Sequence, residues 1–346
     1  MTGHVPAPAS APTATTRVPV TVLTGFLGSG KTTLVNALLR LPDLSGTAVI
    51  VNEFGAVGID HDLVAQSSED TVLLANGCMC CAVRGDLVEA LRALGERGDV
   101  GGRPLRHVLI ETSGLADPKP ILRTLMGEAA VRERFVLAGV VCTVDAVLGL
   151  ETLERYAEAT EQAAVADHLF VTKSDLCDGK APDALLARLD ALNATADVHA
   201  DRAAQPEALR QVMTADLADS PRYRPVRSRA ADPFAATRHT ADVTSFVLTR
   251  DQPLPREGFL AWLDTIVAMR GADLLRVKGL VNVAEDPEHP LVIHGVQHLF
   301  SAPESLPAWP GADRRTRIVF ITRGVDAAAL DETLSVLARR HRRRSQ

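Results

Sequence analysis

This chain of 346 residues has no apolar stretch of membrane-spanning length and no basic excess, its formal net charge being −6. The first absence excludes a transmembrane helix. The second gives no reason to expect nucleic acid as a partner. Residues 1–16 have neither the basic start nor the apolar middle of a secretory signal and read as a disordered arm. Cysteine is scarce and odd in number, five in all, with three crowded into positions 78 to 81. That distribution argues against a disulfide framework and for a reducing cytoplasm. No internal repeat is present. What remains, 46% hydrophobic and 23% charged residues, is the composition of ordinary globular domains, and the length allows two of them.

Two halves separate by pattern. Short β-branched runs (Val18–Leu23, Ala48–Val51, His107–Ile110, Leu137–Val144, Leu169–Thr172) alternate with Ala/Leu-rich helical stretches across residues 17–220. The alternation predicts an α/β domain with a mainly parallel sheet covered by helices. A Pro/Arg/Ala-rich stretch without periodicity, 221–238, reads as a linker. Residues 239–335 mix strands (Val243–Leu248, Arg317–Ile321) with a helix (Glu257–Arg270) in a smaller α+β domain. The basic run Arg339–Arg344 lies in 336–346, read as a solvated tail.

The first strand run leads into Gly25-Phe-Leu-Gly28-Ser29-Gly30-Lys31-Thr32, followed by the helical run Thr33–Arg40. This is the G-x-x-x-x-G-K-[ST] pattern in the strand–loop–helix setting that phosphate binding requires. The glycines let backbone N–H groups wrap a phosphate, and the helix amino end adds positive partial charge. Lys31 would reach the β- and γ-phosphates and Thr32 would offer its hydroxyl to Mg²⁺, so the loop predicts a nucleoside triphosphate site.

Three further elements refine the site. Thr172-Lys173-Ser174-Asp175 ends a late strand and is close to the N-K-x-D guanine reader, with Thr172 in place of Asn. Its aspartate would accept from guanine N1–H and the exocyclic amine, which adenine cannot match. Asn193-Ala194-Thr195-Ala196 is the candidate loop for the base oxygen. The strand His107–Ile110 ends in Glu111-Thr-Ser-Gly114, placing a carboxylate for Mg²⁺ and a glycine to sense the γ-phosphate. Asn52-Glu53-Phe54-Gly55-Ala56-Val-Gly58-Ile-Asp60 is a second candidate switch.

Gly77-Cys78-Met79-Cys80-Cys81 carries the remaining chemistry. Thiolates are soft ligands for Zn²⁺ or Cu(I), and metal binding deprotonates them. Three thiols rather than four suit an open, exchangeable site better than a closed structural one. A redox trio or inert cysteines are the alternatives. The loop falls between the two candidate switches, so nucleotide state and metal affinity would be linked.

The motifs Thr24–Leu34, Asn52–Asp60, Asn76–Cys81, Glu111–Pro118 and Thr172–Asp175, with Leu274–Gly279 and Trp309–Ile321 in the second half, resemble the CobW-type P-loop GTPases. The resemblance implies slow GTP hydrolysis and carriage of Zn²⁺ or Co²⁺ for a client metalloprotein. By position it implies Gly30, Lys31, Thr32 and Thr33 as phosphate and Mg²⁺ contacts, and Lys173 and Asp175 as base contacts. It also implies Cys78, Cys80 and Cys81 as metal ligands, with Glu53 as an added ligand. Ala56 stands where many relatives carry an acid. Lys31 and Mg²⁺ would neutralise γ-phosphate charge while an ordered water attacks in line. The small domain shows no catalytic constellation and is assigned to client binding or self-association. Two other readings of the residues are a P-loop small-molecule kinase and a non-hydrolysing, nucleotide-gated scaffold.

Overall fold

The structure is a computed structural model that describes residues 17–41, 44–52, 83–177, 180–214, 237–238, 243–300 and 303–344. Its first sheet has six parallel strands: β1 (Val18–Gly25), β2 (Thr47–Asn52), β3 (His107–Thr112), β4 (Phe135–Asp145), β5 (His168–Thr172) and β6 (Asp197–His199). Their spatial order is β2-β3-β1-β4-β5-β6. Strands β1 to β5 are near-continuous apolar runs because helices cover both faces, while β6, Asp-Val-His, is a short, partly exposed edge. Val20, Val22, Ile50 and Ile110 pack under α2 (Val83–Arg97) and α3 (Lys119–Gly127). Leu23, Val49, Leu109 and Phe170 turn the other way. They meet α1 (Lys31–Leu38) and α7 (Gln205–Thr214).

Strand β1 lies between β3 and β4, so the chain departs to opposite sides of it. A crevice therefore opens beyond its carboxyl end, where ligands bind in such sheets. The expected α/β domain is the one observed.

The second domain is a seven-stranded antiparallel sheet built on β7 (Val243–Arg250), β8 (Leu274–Val283), β9 (Asp286–Val296) and β10 (Thr316–Arg323), ordered β9-β8-β10-β7. One face carries Phe246, Val277 and Phe320 against α8 (Arg256–Arg270) and α9 (Ala327–Arg344). Trp262 of α8 is fully buried there and donates Nε1–H to Thr333 Oγ1 at 3.0 Å. The basic run Arg339–Arg344, expected in the tail, is part of α9. Arginine is a good helix former, and cations at a helix carboxyl end complement its dipole.

The opposite face of this sheet, through Leu275, Val319 and Ile321, packs on α5 (Ala157–Val165) and α6 (Asp183–Leu192) of the first domain. Between β4 and α5 runs α4 (Gly149–Arg155). Helix α5 is pressed between two sheets, and its sequence, Ala-Glu-Ala-Thr-Glu-Gln-Ala-Ala-Val, supplies the small side chains that this close approach needs. No helix among the described residues is long and apolar enough to cross a membrane.

Two histidines are buried neutral. His107 Nε2 and Thr21 Oγ1 share a 3.0 Å hydrogen bond, and burial pushes the imidazole down to about 3, against the opposing pull of a backbone hydrogen bond at Met213. His168, 3.1 Å from His199 Nε2, is pushed down to about 4 by burial, which outweighs the attraction of Asp167. Both rings protonate near 6.5 when unfolded, so the unfolded chain binds more protons as pH falls below that value. Stability is therefore complete above pH 6.5 and is lost on acidification. The expected loss is about 1.4 kcal/mol per ring by pH 5.5. Urea denaturation at pH 7.5 and 5.5 measures it, and His107→Gln should remove about half of the difference. An identical drop in that variant would exclude His107 as a contributor.

Candidate functional site

The glycine-rich loop closes over the end of β1 in the form its sequence demands. Gly28 and Gly30 sit at φ 69° and 93°, in the left-handed region where a side chain would be strained. Lys31 opens α1 and folds back, donating to Gly25 O at 2.9 Å and Phe26 O at 3.3 Å. Ser29 Oγ lies 2.7 Å from Thr143 Oγ1, which ties the loop to β4.

Thr32 donates its hydroxyl to Glu111 Oε1 at 2.8 Å. The two residues are far apart in sequence but meet because β1 and β3 are neighbours, with Leu23 opposite Glu111. Glu111 is only 4% exposed. Two oxygen donors at one point, beside a lysine, suit a small hard cation such as Mg²⁺. Gly114 rests directly on the loop, where an added Cβ would stand 2.7 Å from Leu27 N and Cα. Gly28, Gly30, Lys31, Thr32, Thr33, Glu111, Gly114 and Lys173 thus line one cavity of about 240 Å³.

The Thr172–Asp175 element reaches the same loop. The Thr172 hydroxyl donates to Ser29 O at 2.6 Å, so a hydroxyl holds this strand end to the phosphate loop. Lys173 adopts φ 58°, uncommon for a residue with a side chain, and its Nζ meets Asp145 Oδ2 at 2.7 Å. Asp145 also accepts Val147 N–H at 2.7 Å and Leu148 N–H at 3.2 Å, so one carboxylate fixes the lysine and the start of α4. Asp175 pairs with Arg202, both side chains being half-exposed.

Asn193 is not brought to this cavity. It follows α6 at the opposite end of the strands, where its amide nitrogen lies within hydrogen-bond reach of the carbonyls of Ala163, Ala164 and Ala166. Ala194 lies beside it. The segment that does reach Asp175 follows β6, at Ala200–Arg202, because β6 runs parallel to β5 and ends beside the same edge. Asp145 and Arg202 were not singled out from the sequence. Asp145 was available by the signal that marked Glu111, a carboxylate closing a buried strand run. Glu53, Cys78, Cys80 and Cys81 lie outside the described residues. The flanks of their segment are described: β2 ends at Asn52, opposite Thr112, and α2 begins at Val83.

A parallel sheet with a glycine-rich loop at its switch point, a lysine and threonine opening the next helix, and a carboxylate on the adjacent strand defines a P-loop nucleotide-binding protein. The sequence matches the CobW/HypB/UreG nucleotide-binding domain over residues 19–200 and the cobalamin synthesis protein cobW C-terminal domain over residues 243–338. The chain belongs to the CobW family, as its motifs implied. It is 32% identical over 311 residues to the zinc chaperone YjiA of Escherichia coli, covering 88% of this chain and 93% of that one. It is 34% identical over 171 residues to the zinc-regulated GTPase metalloprotein activator 1 of Schizosaccharomyces pombe, covering 47% and 41% of the two chains. The crystal structure of Zn(II)-bound YjiA GTPase from E. coli superimposes with a TM-score of 0.65 at 24% identity over 93% of this chain and 99% of that one, a likeness of fold.

Proposed function

We propose that this protein binds and slowly hydrolyses GTP, and that its nucleotide state gates a transition metal carried on Cys78, Cys80 and Cys81. Zinc is the foremost cargo and cobalt the alternative, since tetrahedral thiolate sites accept both. Glu53 is the added ligand, and the client metalloprotein docks on the second domain. The observation that carries this reading is the register of β2 on β3. Val51 lies opposite Glu111 and Asn52 opposite Thr112, so the cysteine-bearing segment leaves the sheet beside the carboxylate that takes the Thr32 hydroxyl. The route from Asn52 to Cys78, Cys80 and Cys81 would then begin beside the γ-phosphate. It is supported by the E. coli relative, a zinc chaperone, and the S. pombe relative, a zinc-regulated GTPase metalloprotein activator.

In this reading the loop from Gly25 to Thr33 wraps the phosphates, with Lys31 compensating γ-phosphate charge and Gly114 meeting the γ-phosphate. Thr32 and Glu111 would hold Mg²⁺, which supplies charge neutralisation when bound. Lys173 and Asp175 read guanine. No arginine is assigned to the transferring phosphoryl group, in keeping with a slow intrinsic rate.

Metal affinity measured with a GTP analogue and with GDP, for Zn²⁺ and Co²⁺, tests the whole. The expected result is cysteine-dependent binding that shifts about tenfold between nucleotides, a coupling of about 1.4 kcal/mol. Equal affinity in both states would sink the gating. Binding unchanged in the Cys78/Cys80/Cys81→Ser variant would sink the cysteine site.

A further inference from the structure

Helix α5 touches both the γ-phosphate loop and the second domain. Gln162, fully buried, has its amide nitrogen within hydrogen-bond reach of Gly114 O at 3.2 Å and Ala116 O at 3.0 Å. The adjacent Glu161 accepts from Lys119 Nζ at 2.6 Å through one oxygen, and from Arg323 at the end of β10 through the other. Lys119 opens α3 immediately after the loop and also pairs with Asp117 at 3.2 Å. Two consecutive residues of one helix therefore clasp this loop at its middle and at its exit. The same helix is fixed to the second domain by Arg276, which donates to Val165 O and to the Asp167 carboxylate.

The loop is consequently gripped from two sides, Leu27 below Gly114 and Gln162 beside it. Such a grip orders the loop before a γ-phosphate arrives, so less ordering remains to be done on binding GTP. GDP, which lacks the γ-phosphate, gains nothing from it. Glu161 is 12% exposed, and although burial works to raise its pKa, Lys119 and Arg323 outweigh that and keep it charged. Its two oxygens divide between a lysine on the loop side and an arginine of the second domain, so a shift of Arg323 alters the hold on Lys119.

We propose that the second domain sets the position of the γ-phosphate loop through Glu161 and Gln162, with Gln162 a residue that positions the loop for the γ-phosphate and Arg323 the point at which the second domain acts on it. This rests on the GTPase reading and adds the route by which a client on the second domain would be felt at the nucleotide. By reciprocity, GTP would alter the affinity of that domain for its client.

The test is the ratio of GTP-analogue to GDP affinity in Gln162→Met, Arg323→Ala and Arg323→Lys, with GDP affinity and thermal stability measured alongside. Mutations along a coupling route change it by roughly 2- to 30-fold. The expected fall in the ratio is about tenfold for Gln162→Met and about threefold for Arg323→Ala, with Arg323→Lys near wild type. Arg323 is 39% exposed, so its loss leaves the fold intact. A ratio unchanged or raised in Arg323→Ala, whatever happens to stability, would overturn the relay while leaving the GTPase. A wild-type protein that binds no GTP would overturn both.

Discussion

Replacing Asp167 with alanine is expected to remove about 3–5 kcal/mol of folding stability, the cost of leaving buried charge without its partner. The carboxylate sits at the start of β5, 2% exposed, against Arg276 and Lys278 at 1% and 4%. Its other oxygen accepts Val140 N–H at 3.0 Å, so no part of it is solvated. Burial works to raise its pKa, but Arg276 and Lys278 outweigh that and hold the carboxyl well below the usual carboxylate range. The group is therefore charged at neutral pH. With Asp167 gone, Arg276 and Lys278 lose its negative charge inside the domain boundary, where solvent screens little. Urea denaturation at pH 7.5 measures the loss. The double change Asp167→Ala, Arg276→Met should recover a good part of it, since removing both members of a buried pair is far less harmful than removing one. A loss under about 1 kcal/mol would mean that water already reaches the cluster.

The second large effect concerns the base. Asp175→Asn should reduce the preference for GTP over ATP by about a hundredfold or more. Two hydrogen bonds to a charged acceptor carry roughly 1.5–3 kcal/mol each, and the variant loses both in their charged form. The amide can also donate, so xanthosine triphosphate, which presents a carbonyl where guanine has its amine, should gain what GTP loses. Without nucleotide the carboxylate is held by Arg202, whose guanidinium offers the same kind of paired N–H donors as the guanine edge. In the proposed reading, guanine would exchange one donor pair for another rather than meet a bare charge. Competition binding with the three triphosphates decides it. An unchanged GTP preference would move base recognition away from Asp175 and reopen the kinase reading.

The parts of this protein legible in its sequence are those where one local pattern has one physical solution. The glycines and Lys31 could be read because that spacing, between a strand and a helix, lets a backbone wrap phosphate. The parallel sheet could be read because continuous apolar runs have to be covered on both faces. Strands β8 and β9 were not read, because Arg276, Lys278 and His294 interrupt their apolar pattern. All three are buried, Arg276 and Lys278 against Asp167, which only the tertiary fold supplies. Asn193 was placed by sequence order after a helix, and order does not say which end of the sheet that helix returns to. Gln162 and Glu161 were not singled out from the sequence. Their roles exist only because a second sheet closes over α5.

That closure bears on how the chain can be divided. The two halves match two separate domain families, but the seam between them is a buried, alanine-lined layer with a sunken acid at its edge. A nucleotide-binding half made on its own would present that layer to water and strand Asp167 without its cations. Any shortened version meant to keep the nucleotide chemistry therefore has to bring a new cover for α5 with it.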